Sequence, residues 1–237
     1  MSILLTESQL VDEDAHFAKN RFKLIVTGSK NVGKSALIRR LDSNTFEEKK
    51  SEDRITKALA RVIQGAVVRS DVQEVGYDVF ERDEGGFLKQ NEIDWLDVKG
   101  IIVMYDINSK ESYNELKRKL PLVQNTVAPN CDICLVGSKA DCEREVPFEL
   151  ADRLAEQMDL SLFEISSKTN INCEAMLVEV LDKIIERREA ELEHWQEIRS
   201  NQPVYEDVVE PSKPSEEQVP SNPFCWIPRI PFISKIF

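Results

Sequence analysis

Gly28-Ser29-Lys30-Asn31-Val32-Gly33-Lys34-Ser35 is the stretch on which the fold turns. Its G-x-x-x-x-G-K-S spacing follows a short β-prone run, Phe22 to Thr27. It opens an amphipathic helix, Gly33 to Leu41, with Ala36, Leu37, Ile38 and Leu41 for the inner face. In that setting the two glycines let the backbone curl and turn its N–H groups inward, and the helix start adds the positive end of its dipole. Lys34 is then placed to reach β- and γ-phosphates, and the Ser35 hydroxyl to ligate Mg²⁺. A chance turn rich in Gly and Lys has no need of a strand before it and a helix after it. The stretch reads as a phosphate-binding loop.

Outward from the loop, strand-like and helix-like segments alternate, the pattern of a parallel sheet wrapped by helices. Ile55 to Arg82 is rich in Val and Ile and predicts two strands, with Arg69-Ser70-Asp71 as the turn between them. Ile101 to Tyr105 is an unbroken apolar run suited to a central strand. Ser109-Lys110-Glu111-Ser112 starts a helix to about Leu120, stopped by Pro121. Ile133 to Gly137 is the next buried strand, and Pro147 precedes a helix from Phe148 to Met158. Leu162 to Ile165 is a last strand. A last helix runs from Glu174 to about Ile198, with Met176, Leu177, Val180, Leu181, Ile184 and Ile185 at helical spacing. The expected class is α/β: a mostly parallel six-stranded sheet flanked by helices on both faces.

Of 237 residues, 43 are Asp or Glu and 31 Lys or Arg, a formal charge of -12. That balance, without basic runs, argues against nucleic acid as a partner. No apolar stretch reaches the ~18–20 residues of a membrane span, and Met1 to Phe17 lacks the basic start and long apolar core of a secretory signal. Five cysteines are present. Cys131 and Cys134 have C-x-x-C spacing, but they flank a buried strand and lack a second Cys/His pair, so they read as ordinary reduced thiols.

The phosphate loop alone does not choose between ATP and GTP. After the Ile133–Gly137 strand comes Ser138-Lys139-Ala140-Asp141, and after the last strand Ser166-Ser167-Lys168. Here the chain resembles the small GTPases of the Ras superfamily, whose guanine-reading elements are [N/T]-K-x-D and S-A-K. A carboxylate can accept hydrogen bonds from guanine N1–H and its 2-amino group together, and adenine offers no such pair. The resemblance implies a P-loop small GTPase fold in which Asp141 reads the base, Lys139 covers it with its aliphatic stem, and the backbone at Ser167 meets the guanine oxygen. Gly100 to Asp106 and Phe163 to Asn170 look most like the Rab branch. Phe46, in Asn44-Thr45-Phe46, falls where Rabs pack a Phe on the guanine; a plain core aromatic is the alternative. The implied GTP or GDP contacts are Gly28, Ser29, Lys30, Asn31, Val32, Gly33, Lys34, Ser35, Phe46, Ser138, Lys139, Asp141, Ser166, Ser167 and Lys168. The implied Mg²⁺ ligands are Ser35 and Thr56.

The chain also departs from that pattern. Thr56, in Asp53-Arg54-Ile55-Thr56-Lys57, lacks the family wording around the switch I threonine. Switch II falls either on Glu81-Arg82-Asp83-Glu84 or on Asp83-Glu84-Gly85-Gly86, and neither supplies the Gln that orients the attacking water. Lys30 stands at a loop position that is usually small, and Ser138 has a shorter arm than Asn to tie the base loop to the phosphate loop. Nucleotide binding with slow hydrolysis is the expectation. The rival is a non-hydrolysing interaction module that holds nucleotide as a structural ligand.

Residues 1–20 read as a polar extension, 21–199 as the GTPase domain, and 200–237 as an acidic linker followed by an apolar aromatic tail. The tail carries Phe224, Trp226 and Phe232 and ends Ser234-Lys235-Ile236-Phe237, which is not a prenylation box. It is a candidate for peripheral contact with a membrane interface, the alternative being docking onto the domain or a partner. Effectors and regulators acting through the switch loops, a role in vesicle trafficking or signalling, and a place in the cytoplasm or on the cytosolic face of an endomembrane are implied by the resemblance.

Overall fold

A computed structural model describes residues 20–47, 55–84, 86, 88 and 93–200. One compact unit spans Met1–Gln196 and a second Glu197–Phe237. The aromatic tail and the N-terminal extension through residue 19 lie outside the described residues. The first unit is built on a six-stranded sheet: β1 Arg21–Gly28, β2 Thr56–Ile63, β3 Ala66–Glu74, β4 Val98–Asp106, β5 Asp132–Ser138 and β6 Ser161–Glu164. Its order is β2-β3-β1-β4-β5-β6. Neighbours are parallel except for the antiparallel β2–β3 hairpin. The helices are α1 Lys34–Ser43, α2 Lys110–Gln124, α3 Phe148–Met158 and α4 Cys173–Ser200, with a 3₁₀ turn at Tyr77–Phe80.

The sheet is covered on both faces, as its apolar runs require. On one side Leu24, Val26, Val72 and Met104 pack with Leu37 and Ile38 of α1 and Met176, Leu177 and Leu181 of α4. On the other, Ile25, Ile101, Val103 and Tyr105 pack with Leu116 and Leu120 of α2 and Ala151 and Leu154 of α3. No described helix is long and apolar enough to cross a membrane.

Two expectations fail locally. The hairpin turns at Gln64-Gly65, whose φ values of 50° and 81° suit a two-residue turn between right-twisted strands. Arg69, Ser70 and Asp71 are instead inside β3, paired with Arg21, Phe22 and Lys23 of β1. The sheet interior overrides their turn propensity because β1 needs a partner along its whole edge. Pro121 lies inside α2 and does not stop it. The helix resumes its bonding past the ring, with Asn125 N–H donating to Pro121 O at 3.0 Å.

Cys131, Cys134 and Cys173 are buried and unbridged, and Cys142 is exposed. Burial pushes the Cys131 thiol up to about 12, with help from the Asp132 charge, and burial does the same for Cys134. Since the thiolate is the reactive form, iodoacetamide at neutral pH should alkylate Cys142 of the folded chain. Cys131, Cys134 and Cys173 should react only after unfolding, as peptide mass mapping would reveal.

Candidate functional site

The loops at the C-terminal ends of the parallel strands meet over the α1 N-terminus. β1 ends in Gly28, whose φ of 150° is joined to a tight approach: a Cβ there would lie 2.4 Å from the Met104 carbonyl oxygen of β4. Only glycine fits. Asn31 at φ 64° and Gly33 at φ 98° then turn the chain through left-handed conformations into α1. That helix start has no side-chain cap and no acidic residue in its first turn, so its leading N–H groups are left for an anion. Lys34 is buried and its Nζ donates to Gly28 O at 3.1 Å and Ser29 O at 2.8 Å. Lys30 and Asn31 are exposed at the crown of the loop.

The acidic partner of this loop is Glu74, which sequence reading did not single out. Because β3 runs on to Glu74, paired with Val26 of β1, the Glu74 carboxylate arrives beside α1. Ser35 Oγ donates to Glu74 Oε2 at 2.7 Å, and Lys34 Nζ lies 4.0 Å from Glu74 Oε1. Two hard oxygens at that spacing match the edge of about 3 Å between neighbouring ligands of Mg²⁺ held at 2.0–2.1 Å. The donor set fits the metal.

Thr56 does not join this set. It is the exposed first residue of β2, opposite Gln73. Opposed residues of an antiparallel pair share a face and successive residues alternate. Leu59 and Ile63 point to the α1 side with Val68 and Val72, as does Glu74. Thr56 and Gln73 therefore project from the opposite face, away from Ser35. The switch II readings shift as well. Glu81 pairs with Lys119 of α2 at 3.1 Å, and Asp83 and Glu84 are exposed.

Sequence reading also undervalued Ser138. Its hydroxyl lies 2.6 Å from Val32 O and 2.8 Å from Tyr105 O, and it is buried, so the short arm does tie the β5 loop to the phosphate loop. Lys139, at φ 60°, turns its Nζ onto Asp106 Oδ2. Asp141 is exposed, and its Oδ1 accepts the Ser166 hydroxyl at 2.6 Å. Ser166 is fixed in turn by Thr169 N–H at 3.1 Å. The Ser167 and Lys168 carbonyls accept from Arg40 Nε and Nη2 at 2.7 and 3.1 Å. Arg40, three positions before the C-terminus of α1, thus holds the last loop; a basic residue next to Arg39 inside a helix gave no sequence signal of this. Phe46 comes after α1 and is half-buried.

Residues 75–80, just beyond Glu74, do not form an open loop. Val75, Tyr77, Val79 and Phe80 are buried together with Ile93 and Trp95, and the Phe80 and Trp95 rings meet at 5.0 Å. Arg82 reaches Gly86 O at 2.8 Å and Asn125 O at 3.3 Å. Burying six such side chains is worth on the order of 10 kcal/mol, as an upper figure. Val75, Tyr77, Val79 and Phe80 are thus held by packing in one cluster with Ile93 and Trp95.

The resulting geometry agrees with comparisons to known proteins. Residues 23–186 match the Ras family. The chain is 27% identical to mouse Ras-related protein Rab-12 over 173 residues, covering 70% of this chain and 68% of that protein. It is 31% identical to Rab-4 of Dictyostelium discoideum over 180 residues, covering 73% and 84%. Rat Rab-15 is similar over 210 residues at 23% identity, covering 86% and 96%. With the six-stranded sheet, the strand–loop–helix at Gly28–Ser35 and this match across most of its length, the chain belongs to the Ras family and is a Rab-like small GTPase.

Proposed function

We propose that this GTPase holds guanine nucleotide firmly, hydrolyses GTP slowly, and acts as a switch or scaffold in vesicle trafficking or allied signalling. The observation that carries the reading is the Asp141–Ser166 hydrogen bond. It holds an exposed carboxylate on the loop that Ser138 ties to the phosphate loop, where it can take two guanine donors at once. The phosphate loop from Gly28 to Ser35 supplies the anion cradle, with Lys34 as the cation. Lys139, Ser138, Ser167, Lys168 and Phe46 complete the base side, within a GTPase domain spanning 21–199.

Magnesium is assigned to Ser35 and Glu74, with Thr56 set aside. When bound, the ion neutralises charge on the phosphate oxygens. Lys34 steadies the same charge, and Ser35 keeps its oxygen turned toward Glu74. Slow turnover is supported by the residues after Glu74: Val75-Gly76-Tyr77 brings no Gln to orient water, and Val79 and Phe80 are committed to the core. Rab names among the relatives support trafficking, effector and regulator partners, and residence in the cytoplasm or on the cytosolic face of an endomembrane. The apolar tail after residue 200 remains the proposed membrane contact.

The purified chain should bind GTP and GDP at least 100-fold more tightly than ATP in a fluorescence competition assay. Single-turnover hydrolysis should run at or below the intrinsic rate of about 10⁻⁴ s⁻¹ familiar from unassisted GTPases. Equal affinity for ATP would remove the guanine assignment. A rate in the assisted range of roughly 5–20 s⁻¹ would remove slow turnover, and no turnover at all alongside tight binding would favour the non-hydrolysing module.

Ser138→Ala removes one buried hydrogen bond between the two loops, worth about 1 kcal/mol. GDP affinity should fall by up to about fivefold, and the melting temperature without nucleotide by roughly 2–4 °C. Isothermal titration and a thermal melt give the two numbers.

A further inference from the structure

We infer that Glu115 of α2 is a positioning residue of the nucleotide site, clamping the phosphate loop in its binding shape through Ser29. The inference rests on the guanine-nucleotide reading above and adds to it a residue outside every motif of the loop. Ser29 Oγ donates to Glu115 Oε2 at 2.6 Å, across 86 positions of sequence. Ser29 is buried, so this hydroxyl is committed to the carboxylate and turned away from any phosphate. A hydrogen bond to an ionised acceptor, largely shielded from water, is among the stronger kinds.

Its place in the loop gives the bond its importance. The next two residues, Lys30 and Asn31, are exposed, so the core does not grip the crown of the loop. On the far shoulder, Val32 O is held by Ser138 Oγ at 2.6 Å. On the near shoulder, Ser29 is held by Glu115. The N–H groups that face a phosphate are strung between these two pins, and their convergence depends on both.

The post to which Ser29 is tied is itself well anchored. Leu116 and Leu120 on either side of the next turn are buried, Tyr113 Oη donates to Leu150 O of α3 at 2.7 Å, and Lys119 pairs with Glu81. Tyr77, on the turn after β3, is also close enough to feel the carboxylate. Its hydroxyl is buried with no hydrogen-bond partner, and burial first, then the Glu115 charge, raise its pKa. Glu115 therefore stands where the phosphate loop and the turn beyond Glu74 come together.

The alternative is a brace that stabilises the fold and leaves binding alone. Dissociation of mant-GDP from the full chain separates the two, measured for wild type, Ser29→Ala, Glu115→Ala, Glu115→Gln and the Ser29→Ala/Glu115→Ala double variant. Each alanine variant should release mant-GDP about ten- to a hundredfold faster, as expected for one hydrogen bond to a charged group. The double variant should be no faster than either single one. Glu115→Gln should fall between wild type and Glu115→Ala, because its amide oxygen still accepts from Ser29 but without the charge. Thermal melts without nucleotide provide the control. Unchanged release in Glu115→Ala, multiplied effects in the double variant, or Glu115→Gln as fast as Glu115→Ala would each overturn the assignment. So would a lowered melting temperature with unaltered release. If wild type itself fails to bind mant-GDP, the nucleotide reading falls and this assignment with it; binding with equal rates in all five proteins rejects the clamp alone.

Discussion

The backbone pairing of β1, with β3 along one edge and β4 along the other, is the constraint that shapes the site. Six register pairs join β1 to β3, ending at Val26 with Glu74, and the β4 register carries Gly28 to Met104. Because both neighbours are parallel to β1, all three strands deliver their ends to the same rim. Gly28 must turn against the Met104 carbonyl, Glu74 must emerge beside Ser35, and Asp106 must end β4 next to Lys139. Side chains complete the arrangement, but the register decides which of them can meet.

On this rim the loops are fastened to one another by side-chain hydrogen bonds. Val32 is tied to Ser138, Asp141 to Ser166, and Ser167 and Lys168 to Arg40. The base side and the phosphate side are thus one hydrogen-bonded ring, with α1 as its hub. Helix α2 forms the third wall, and it is joined both to Ser29 and to the buried turn after Glu74.

Most of this fold was legible because its strands are fully apolar and its loop has a fixed spacing. Ile101 to Tyr105 and Ile133 to Gly137 could hardly be anything but central strands, and each lengthened in the structure by only a few residues. The phosphate loop and the two base motifs were found from local text. What was missed depended on register. Arg69-Ser70-Asp71 looks like a turn to any local rule, whereas Gln64-Gly65 gives a weaker signal than Asn-Gly. Glu74 sits at the end of β3, several residues before the Glu81 and Asp83 at which the family spacing places switch II, and only the β1–β3 register brings it beside Ser35. Thr56 failed for a related reason: strand parity, invisible until the pairing is known, puts it on the wrong face. Arg40 and Glu115 carry no motif at all. Each is an ordinary charged residue on a helix until the opposite loop arrives.

The hydrogen bond between Ser138 and Val32 has a consequence for the birth of the protein. Its partners are 106 positions apart, and the Arg40–Ser167 bond spans 127. At ~5–20 residues per second, the ribosome makes the phosphate loop many seconds before the residues that close it. Nucleotide can stabilise only a form it binds, so it offers the nascent chain little help until β5, β6 and their loops have been made. The cell must carry the N-terminal half through that interval, with its β1 edge awaiting β4, before the cofactor can take a share in holding the fold.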